Sequence, residues 1–489
     1  MDRPAEKIYN SGKEAIIEKL LELETENKSL IEKLLEKDAD IKNLKEKIAQ
    51  LEKTSQESSK PPSSDFHRHK PVKDNQSTPK SNKLPTRKAG GQKGHPGKNR
   101  PLVSEEDVNE FKHYYASHCK NCNKELPQDD TANTTDEKSR WQVYDMEPIK
   151  LKVIEHQAHT TVCSCGCKTK AKIPDEVLAS NYSERVIGLI AYLTAVLKVS
   201  RRGVQEFYLT FLNLKICLGS IQKLLEYTSS ALEAPVAELK AQLPKIRVIN
   251  ADETGWNGRW LWIFVNSFFL YFHVAKSRGS KVLKHVIGET FNGILCNDRW
   301  GAYTKYHKGI IQFCWAHLKR DFLGILKTGR ELNSNEGIIF AKVMERLQKR
   351  IMALWYDFKQ GKISRSELIE KSEPTIQLTK KCFSKYQHSE EKYVRKLPNK
   401  LLKHFDKLFV FIYHEGVEPT NNIAERGIRP AVQWRKVSFG NRSDKGAVLT
   451  SRLLTTTRTC WLQKQNPLEY LVKAIKAYRY KSKIPSLLR

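Results

Sequence analysis

The sequence predicts a multidomain α+β protein, and three features of its 489 residues lead there. An apolar stripe at heptad spacing occupies the N-terminus. A cysteine cluster follows a basic linker poor in apolar residues. In the second half, runs of β-branched and aromatic residues give way to amphipathic helical patterns. A chain this long exceeds what one hydrophobic core organises, so several structural units are expected.

The stripe runs Ile16, Leu20, Leu23, Asn27, Leu30, Leu34, Lys37, Ile41, Leu44, Ile48, Leu51. Residues 1–52 therefore read as a coiled-coil leucine zipper that joins two or more copies of the chain. Asn27 at an a position sets register, and Lys37 weakens the seam locally. Residues 53–105 (SSKPPSSD, then RKAGGQKGHPGK) lack apolar periodicity and read as a disordered basic linker. Such a segment either settles on phosphates or is a plain solvated connection.

Five of the ten cysteines fall between Cys119 and Cys167. Cys119 and Cys122 form one CxxC knuckle, and Cys163, Cys165 and Cys167 offer three thiols for the second pair of places in a tetrahedral zinc site. Cys163 and Cys165 are preferred, with Gly166 in the turn and Cys167 as substitute. The segments WQVYDMEP and LKVIEHQAHTTV would supply strands, so residues 106–175 read as a zinc-binding β-ribbon holding one structural Zn²⁺. The alternative is that these are buried, unliganded cysteines.

Residues 176–244 are helical in pattern. VQEFYLTFL, a short NLK break and SIQKLLEYTSSAL suggest a helix-turn-helix, with Arg201 and Arg202 as candidate DNA contacts, although many three-helix packings look alike. With 85 Lys plus Arg against 55 Asp plus Glu, the net charge of +30 favours polyanionic partners, nucleic acid first; solubility alone is the plainer explanation. No stretch approaches the ~20 apolar residues of a membrane span, and MDRPAEKIYN lacks an apolar signal core, which points to the cytoplasm and no membrane partner.

After Pro244 the pattern becomes strand-like: IRVINADET, WLWIFVNSFFLYFHVA and GILCNDRW. Asp252 and Asp298 are read at the ends of the first and last of these strands, where neighbouring carboxylates can share a cation. Within one strand Asp252 and Glu253 face opposite ways, so only one of them can serve. Aspartate at a strand end is also a common turn former. Glu425 lies in PTNNIAERGIRPAVQWRKVSFGNRS among Arg426, Arg429, Arg435, Lys436 and Arg442. Asn422-x-x-Glu425 could be a capping box, yet a cap needs no ring of cations, whereas a phosphate-handling site does. Between Asp298 and Glu425, patterns such as KVMERLQKRIMALWYDF predict an all-α insertion at about 325–415 within a domain spanning 245–460. Residues 461–489 read as a helical C-terminal segment. Cys314-x-x-His317 has metal-ligand spacing without a second pair, so packing or substrate contact is the preferred role.

In these motifs the chain resembles the bacterial transposases of the insertion sequence 66 family. The resemblance rests on the zipper, SSKPPSSD and GGQKGHPGK, the cysteine knuckles, ADETGW, NDRWGAY, CWAHLKRDF, NNIAERGIRP, RKVSFG and NPLEYL. It implies a DDE-type transposase with a ribonuclease-H-like α/β catalytic core, whose metal-binding carboxylates fall on Asp252, Asp298 and Glu425. Two Mg²⁺ (or Mn²⁺) ions would then serve cleavage at element ends and joining to target DNA. The implied partners are double-stranded DNA, both element ends and target, and accessory proteins of the same element; the place of work would be a bacterial nucleoid. The irregular CxCxC knuckle departs from the pattern. A non-catalytic transposase-derived DNA-binding regulator and a structure-specific nuclease are the rival readings.

Overall fold

The computed structural model describes residues 25–34, 36–38, 40, 41, 44, 100–127 and 139–488. The described residues between 25 and 44 are helical (α1), and Leu30, Leu34, Ile41 and Leu44 of the stripe each stand about half exposed. Ile16, Leu20, Leu23, Ile48 and Leu51, and nearly all of the basic linker, lie outside the described residues.

Residues 70–152 form one compact unit and the remainder of the chain another. In the smaller unit the Cys119 N–H donates to the Lys124 carbonyl (2.8 Å) and the Asn123 N–H to the Cys119 carbonyl (2.9 Å), which folds Cys119–Cys122 into a tight turn. WQVYDMEP does not form the expected strand. It makes no ladder among the described residues, and Trp141 and Val143 are 90% and 81% exposed, because alternation builds a strand only where a neighbour buries one face.

In the larger unit, LKVIEHQAHTTV contributes only its last three residues as a strand. β1 (Thr160–Val162) pairs antiparallel with β2 (Lys168–Lys170), and the second cysteine group occupies the turn between them. The expected long ribbon is thus a short hairpin.

A helical layer follows: α2 (Asp175–Leu178), α3 (Glu184–Ala195), α4 (Arg201–Leu212), α5 (Leu218–Ala231) and α6 (Glu233–Gln242). Ser183 and Ser200 cap α3 and α4, each side-chain oxygen accepting a backbone N–H of the first turn. Asn213, in the left-handed region at φ 48°, ends α4. α5 packs among α3, α4, α6, α15 and α16, so its exposed residues are confined to Leu218, Gly219, Lys223 and Glu226. Any reading of bases by this helix is therefore limited to its first turns.

Five strands form the sheet: β3 (Val248–Trp256), β4 (Arg259–Val265), β5 (Leu270–Ala275), β6 (Ile294–Asn297) and β7 (Ile311–Phe313), in the order β5-β4-β3-β6-β7. β3, β4 and β5 are an antiparallel meander, while β6 and β7 run parallel to β3. WLWIFVNSFFLYFHVA is thus two strands, reversed where the Asn266 side chain accepts the N–H groups of Phe268 and Phe269. α7 (Ser280–Ile287) and α8 (Gly301–Tyr306) make the parallel connections, as parallel strands require.

Alternation on β6 shows how the layers are divided. Leu295 joins a core shared with the helical layer, whereas Ile294 and Cys296 join a second core with the helices that follow β7. Those are α9 (Trp315–Glu331), α10 (Asn335–Lys359), α11 (Arg365–Tyr386), α12 (Lys392–Leu402) and α13 (Val410–Tyr413). The chain returns through α14 (Asn422–Ser438), α15 (Asp444–Leu462) and α16 (Pro467–Arg479). α15 covers the edge strand β5: its Ser451, Thr455 and Thr459 hydroxyls, one helical turn apart, accept the N–H groups of Val274, Phe272 and Leu270. An edge that would otherwise present free donors is satisfied in this way.

Candidate active site

Asp252 is not at a strand end but in the middle of β3, opposite Ile263 of β4. Asn250 pairs with Cys296 across the parallel ladder, so Asp252 and Asp298, each two residues further on, leave adjacent strands at one level. β6 stops at Asn297, and the next turn is held by Asp298, whose carboxylate accepts the Trp300 N–H (3.0 Å), with Arg299 in the left-handed region at φ 76°. A non-glycine residue there is uncommon, and it is anchored by the Arg299–Asp321 ion pair.

Glu425 reaches this point from α14. Asn421, at the helix start, donates its side-chain amide to the Ala251 carbonyl (2.8 Å), accepts from Asn250 (2.9 Å), and gives its backbone N–H to Cys314 Sγ (3.1 Å). The capping box is not formed: α14 has no side-chain cap, and both Glu425 carboxylate oxygens are buried without a hydrogen bond.

Electrostatics link the three carboxylates. Burial first, then the charges of Glu253, Asp298 and Glu425, hold Asp252 well above the usual carboxylate range. Glu425 is pushed up to about 7, by burial first and by Asp298, against the lowering influence of Arg320, Arg429 and Arg426. Mutually repelling carboxyl groups, of which Glu425 has both oxygens buried and unsatisfied, suit a hard divalent cation, which would replace repulsion with shared attraction.

Glu253 points to the other face, where Tyr303 and Arg278 donate to it; the Arg278 contact is 2.8 Å and its guanidinium lies over Trp300. Burial raises this carboxyl to about 7. It is a satisfied internal group that stiffens the back of the site.

Cys314 and His317, spaced as CxxH, stand beside Glu425. Cys314 Sγ, a His317 ring nitrogen and a Glu425 oxygen lie within 4.8 Å of one another, with His317 Nδ1 3.5 Å from Glu425. Among the described residues this is the only trio of such ligands drawn so close; Asp252, Asp298 and Glu425 influence one another across larger gaps. Burial, then Arg320, lowers His317 to about 4, so its ring is neutral at pH 7. The proximity was illegible in sequence because His317 and Glu425 are far apart along the chain.

Of the cations flagged around the glutamate, Arg426, Arg429 and Lys436 are exposed on α14. Arg435 instead bonds Thr254 and the Gly255 carbonyl, tying α14 to the end of β3. Arg320 of α9, which the sequence pattern did not single out, is the cation acting most strongly on Glu425. Arg201 and Arg202 are exposed at the start of α4, distant in sequence from these elements.

The cysteine groups share a local design. Cys119 is lowered by the Cys122 N–H and Cys163 by the Cys165 N–H, in each case with the neighbouring thiol close by. Gly166, at φ 84°, makes the turn between Cys163 and Cys167. Amide donors aimed at sulfur favour thiolate, the form that binds metal.

Among known proteins, residues 179–449, over half of the chain, match the Transposase IS66 family, and residues 11–101 match a family of unknown function (DUF6444). Over 245 residues the chain is 26% identical to an uncharacterized protein, y4qI, of Sinorhizobium fredii (strain NBRC 101917 / NGR234). That alignment covers 44% of this chain and 43% of the relative, so the chain spans less than half of that protein's length. Among the described residues, no helix is long and apolar enough to cross a membrane.

Proposed function

The chain belongs to the Transposase IS66 family, and on that premise we propose that it cuts the ends of a DNA element and joins the freed 3′-hydroxyls to target DNA. The observation that supports this is the placement of Asp252 and Asp298 at one level of adjacent parallel strands, with Glu425 of α14 near enough to act on Asp252 by its charge. A five-stranded sheet with an antiparallel meander on one side and two parallel strands on the other supports the ribonuclease-H-like reading.

Asp252, Asp298 and Glu425 would hold two Mg²⁺ (or Mn²⁺) ions. Such ions, when bound, supply an activated oxygen nucleophile and offset charge on the phosphoryl oxygens. Asn421 orients Glu425 for its part, and the neutral His317 ring stands 3.5 Å from the same carboxylate. Arg320, Arg426 and Arg429 neutralise non-bridging phosphate oxygens as charge gathers there in the in-line transition state. Lys436 contacts the backbone further along the duplex, and Arg201 and Arg202 meet DNA from the helical layer. By their spacing in sequence, Cys119, Cys122, Cys163 and Cys165 would hold one structural Zn²⁺. The coiled coil brings copies of the chain together, so that two ends are handled in one complex at the bacterial nucleoid.

The test is to incubate the full chain with linear DNA carrying the element's ends, target DNA and Mg²⁺. Cut and joined products are expected, and each of Asp252→Asn, Asp298→Asn and Glu425→Gln should lose both while still binding DNA. Joining retained in any of the three would overturn the assignment. Binding without cutting by the unaltered chain would favour a DNA-binding regulator.

A further inference from the structure

α12 reads KYVRKLPNKLL and contains no acidic residue. Tyr393, Val394 and Leu401 on one side are buried in the core of the insertion, which fixes how the helix is turned. The opposite side presents Lys392, Arg395, Lys396, Asn399, Lys400 and, one residue past the helix, Lys403, and these six line an open groove of about 490 Å³. Positions i, i+4, i+8 and i+11 place the four lysines on one stripe.

Two further observations separate this stripe from an ordinary solvated face. No ion pair to Lys392, Lys396, Lys400 or Lys403 is present among the described residues, whereas elsewhere on the insertion Lys349, Lys359, Lys362 and Lys371 are paired with carboxylates. The stripe is also not isolated: Lys400 is close enough to Arg299, Asp321 and Asp298 to feel each of their charges. The row, which has no ion pair among the described residues, therefore passes within electrostatic range of Asp298 at Lys400.

We propose that α12 is a phosphate-binding track that holds the duplex of the element end while its scissile phosphate enters the carboxylate cleft. From Lys392 to Lys403 the track measures roughly 16 Å at 1.5 Å per residue. That is about five base pairs at 3.4 Å per strand phosphate along the axis. Lysine acts here as a point charge, so the track fixes position without reading bases. The inference rests on the catalytic reading above and extends it to α12 of the all-α insertion.

The test compares two triple variants of the full chain. Lys392→Gln with Lys396→Gln and Lys403→Gln removes three charges from the track. Lys342→Gln with Arg346→Gln and Arg350→Gln removes three exposed charges from α10. The probe is a linear duplex carrying one element end, and its binding is followed against salt without divalent metal. At about 0.9 per phosphate contact, the track variant should flatten the logarithmic salt slope by roughly 2 to 3 and weaken binding at least about tenfold, with cleavage at limiting protein falling in step. The α10 variant should change binding by less than about threefold, and a Lys→Arg version of the track triple should restore the slope.

Equal losses in both glutamine variants would overturn the track in favour of a diffuse field. Loss of joining with unchanged cleavage would overturn it in favour of target DNA. Asp298→Asn separates the two levels: if it still cuts, the catalytic reading fails, whereas an inactive Asp298→Asn beside an unaltered track slope sinks only this inference.

Discussion

Asn421 gives its side-chain amide to the carbonyl of Ala251 across 2.8 Å, tying the residue that precedes the glutamate helix to the residue before Asp252. Asn250 donates back to the same side chain, and Asn421 itself is only 1% exposed. The register between α14 and β3, and with it the approach of Glu425 to Asp252, depends on this exchange. Asn421→Ala would leave the Asn250 amide and the Ala251 carbonyl buried without partners. A loss of about 2 to 4 kcal/mol is expected in denaturant titration, together with a fall in strand cleavage at temperatures where the variant is folded. Full cleavage by a folded variant would show that the tie does not position the glutamate.

The pH response follows from the same buried carboxylate. Glu425 titrates near 7 in the folded chain against a usual 4.5, so its folded form binds the proton more tightly. Its contribution to stability is present below about pH 4.5 and is lost as pH rises through about 7. Without divalent metal, the unfolding midpoint should fall between pH 5 and 8. Glu425→Gln should flatten that fall and exceed the unaltered chain at pH 8 by on the order of 3 kcal/mol. His317, lowered to about 4 from 6.5, acts in the opposite sense: its stability is present above pH 6.5 and lost as pH falls through about 4. An unchanged pH slope in the glutamine variant would contradict the burial argument.

Divalent metal should reverse that penalty. Mg²⁺ raises the unfolding midpoint at pH 8 in proportion to its saturation, and Asp252→Asn should remove most of the rise. A shift of equal size in the asparagine variant would place the bound metal elsewhere.

The edge of the sheet offers a purely structural test. Thr455 accepts the Phe272 N–H at 2.9 Å from a fully buried position. Thr455→Val keeps the volume and removes the acceptor, leaving a strand donor unpaired at a cost of about 1 to 3 kcal/mol. Thermal unfolding would reveal a neutral change if β5 can find another partner.

Zinc content distinguishes the thiols. Purified chain should carry one zinc, and Cys119→Ser or Cys163→Ser should lose it. Cys167→Ser should keep it, because the Cys165 amide and thiol, rather than those of Cys167, adjoin Cys163. Loss of zinc in the Cys167 variant with retention in a Cys165 variant would exchange their roles.

Local pattern was enough for much of this molecule. The apolar runs around Ile249, Phe264 and Leu295 marked a buried sheet, and amphipathic periodicity marked the helices between β7 and α14, because each is set by residues a few positions apart. Pattern also misled. Alternation in WQVYDMEP promised a strand where no partner pairs with it among the described residues, and Asp252 looked like a strand end although β3 continues to Trp256. What only the tertiary structure decided are the meetings of distant segments: Asn421 with Ala251, Cys314 and His317 with Glu425, and Lys400 with the surroundings of Asp298. Residues alone determined the family and the kinds of chemistry available. That Glu253 is absorbed by Tyr303 and Arg278, and that the lysines of α12 have no ion pair among the described residues, was settled by packing, since a charge takes its meaning from neighbours that sequence order does not reveal.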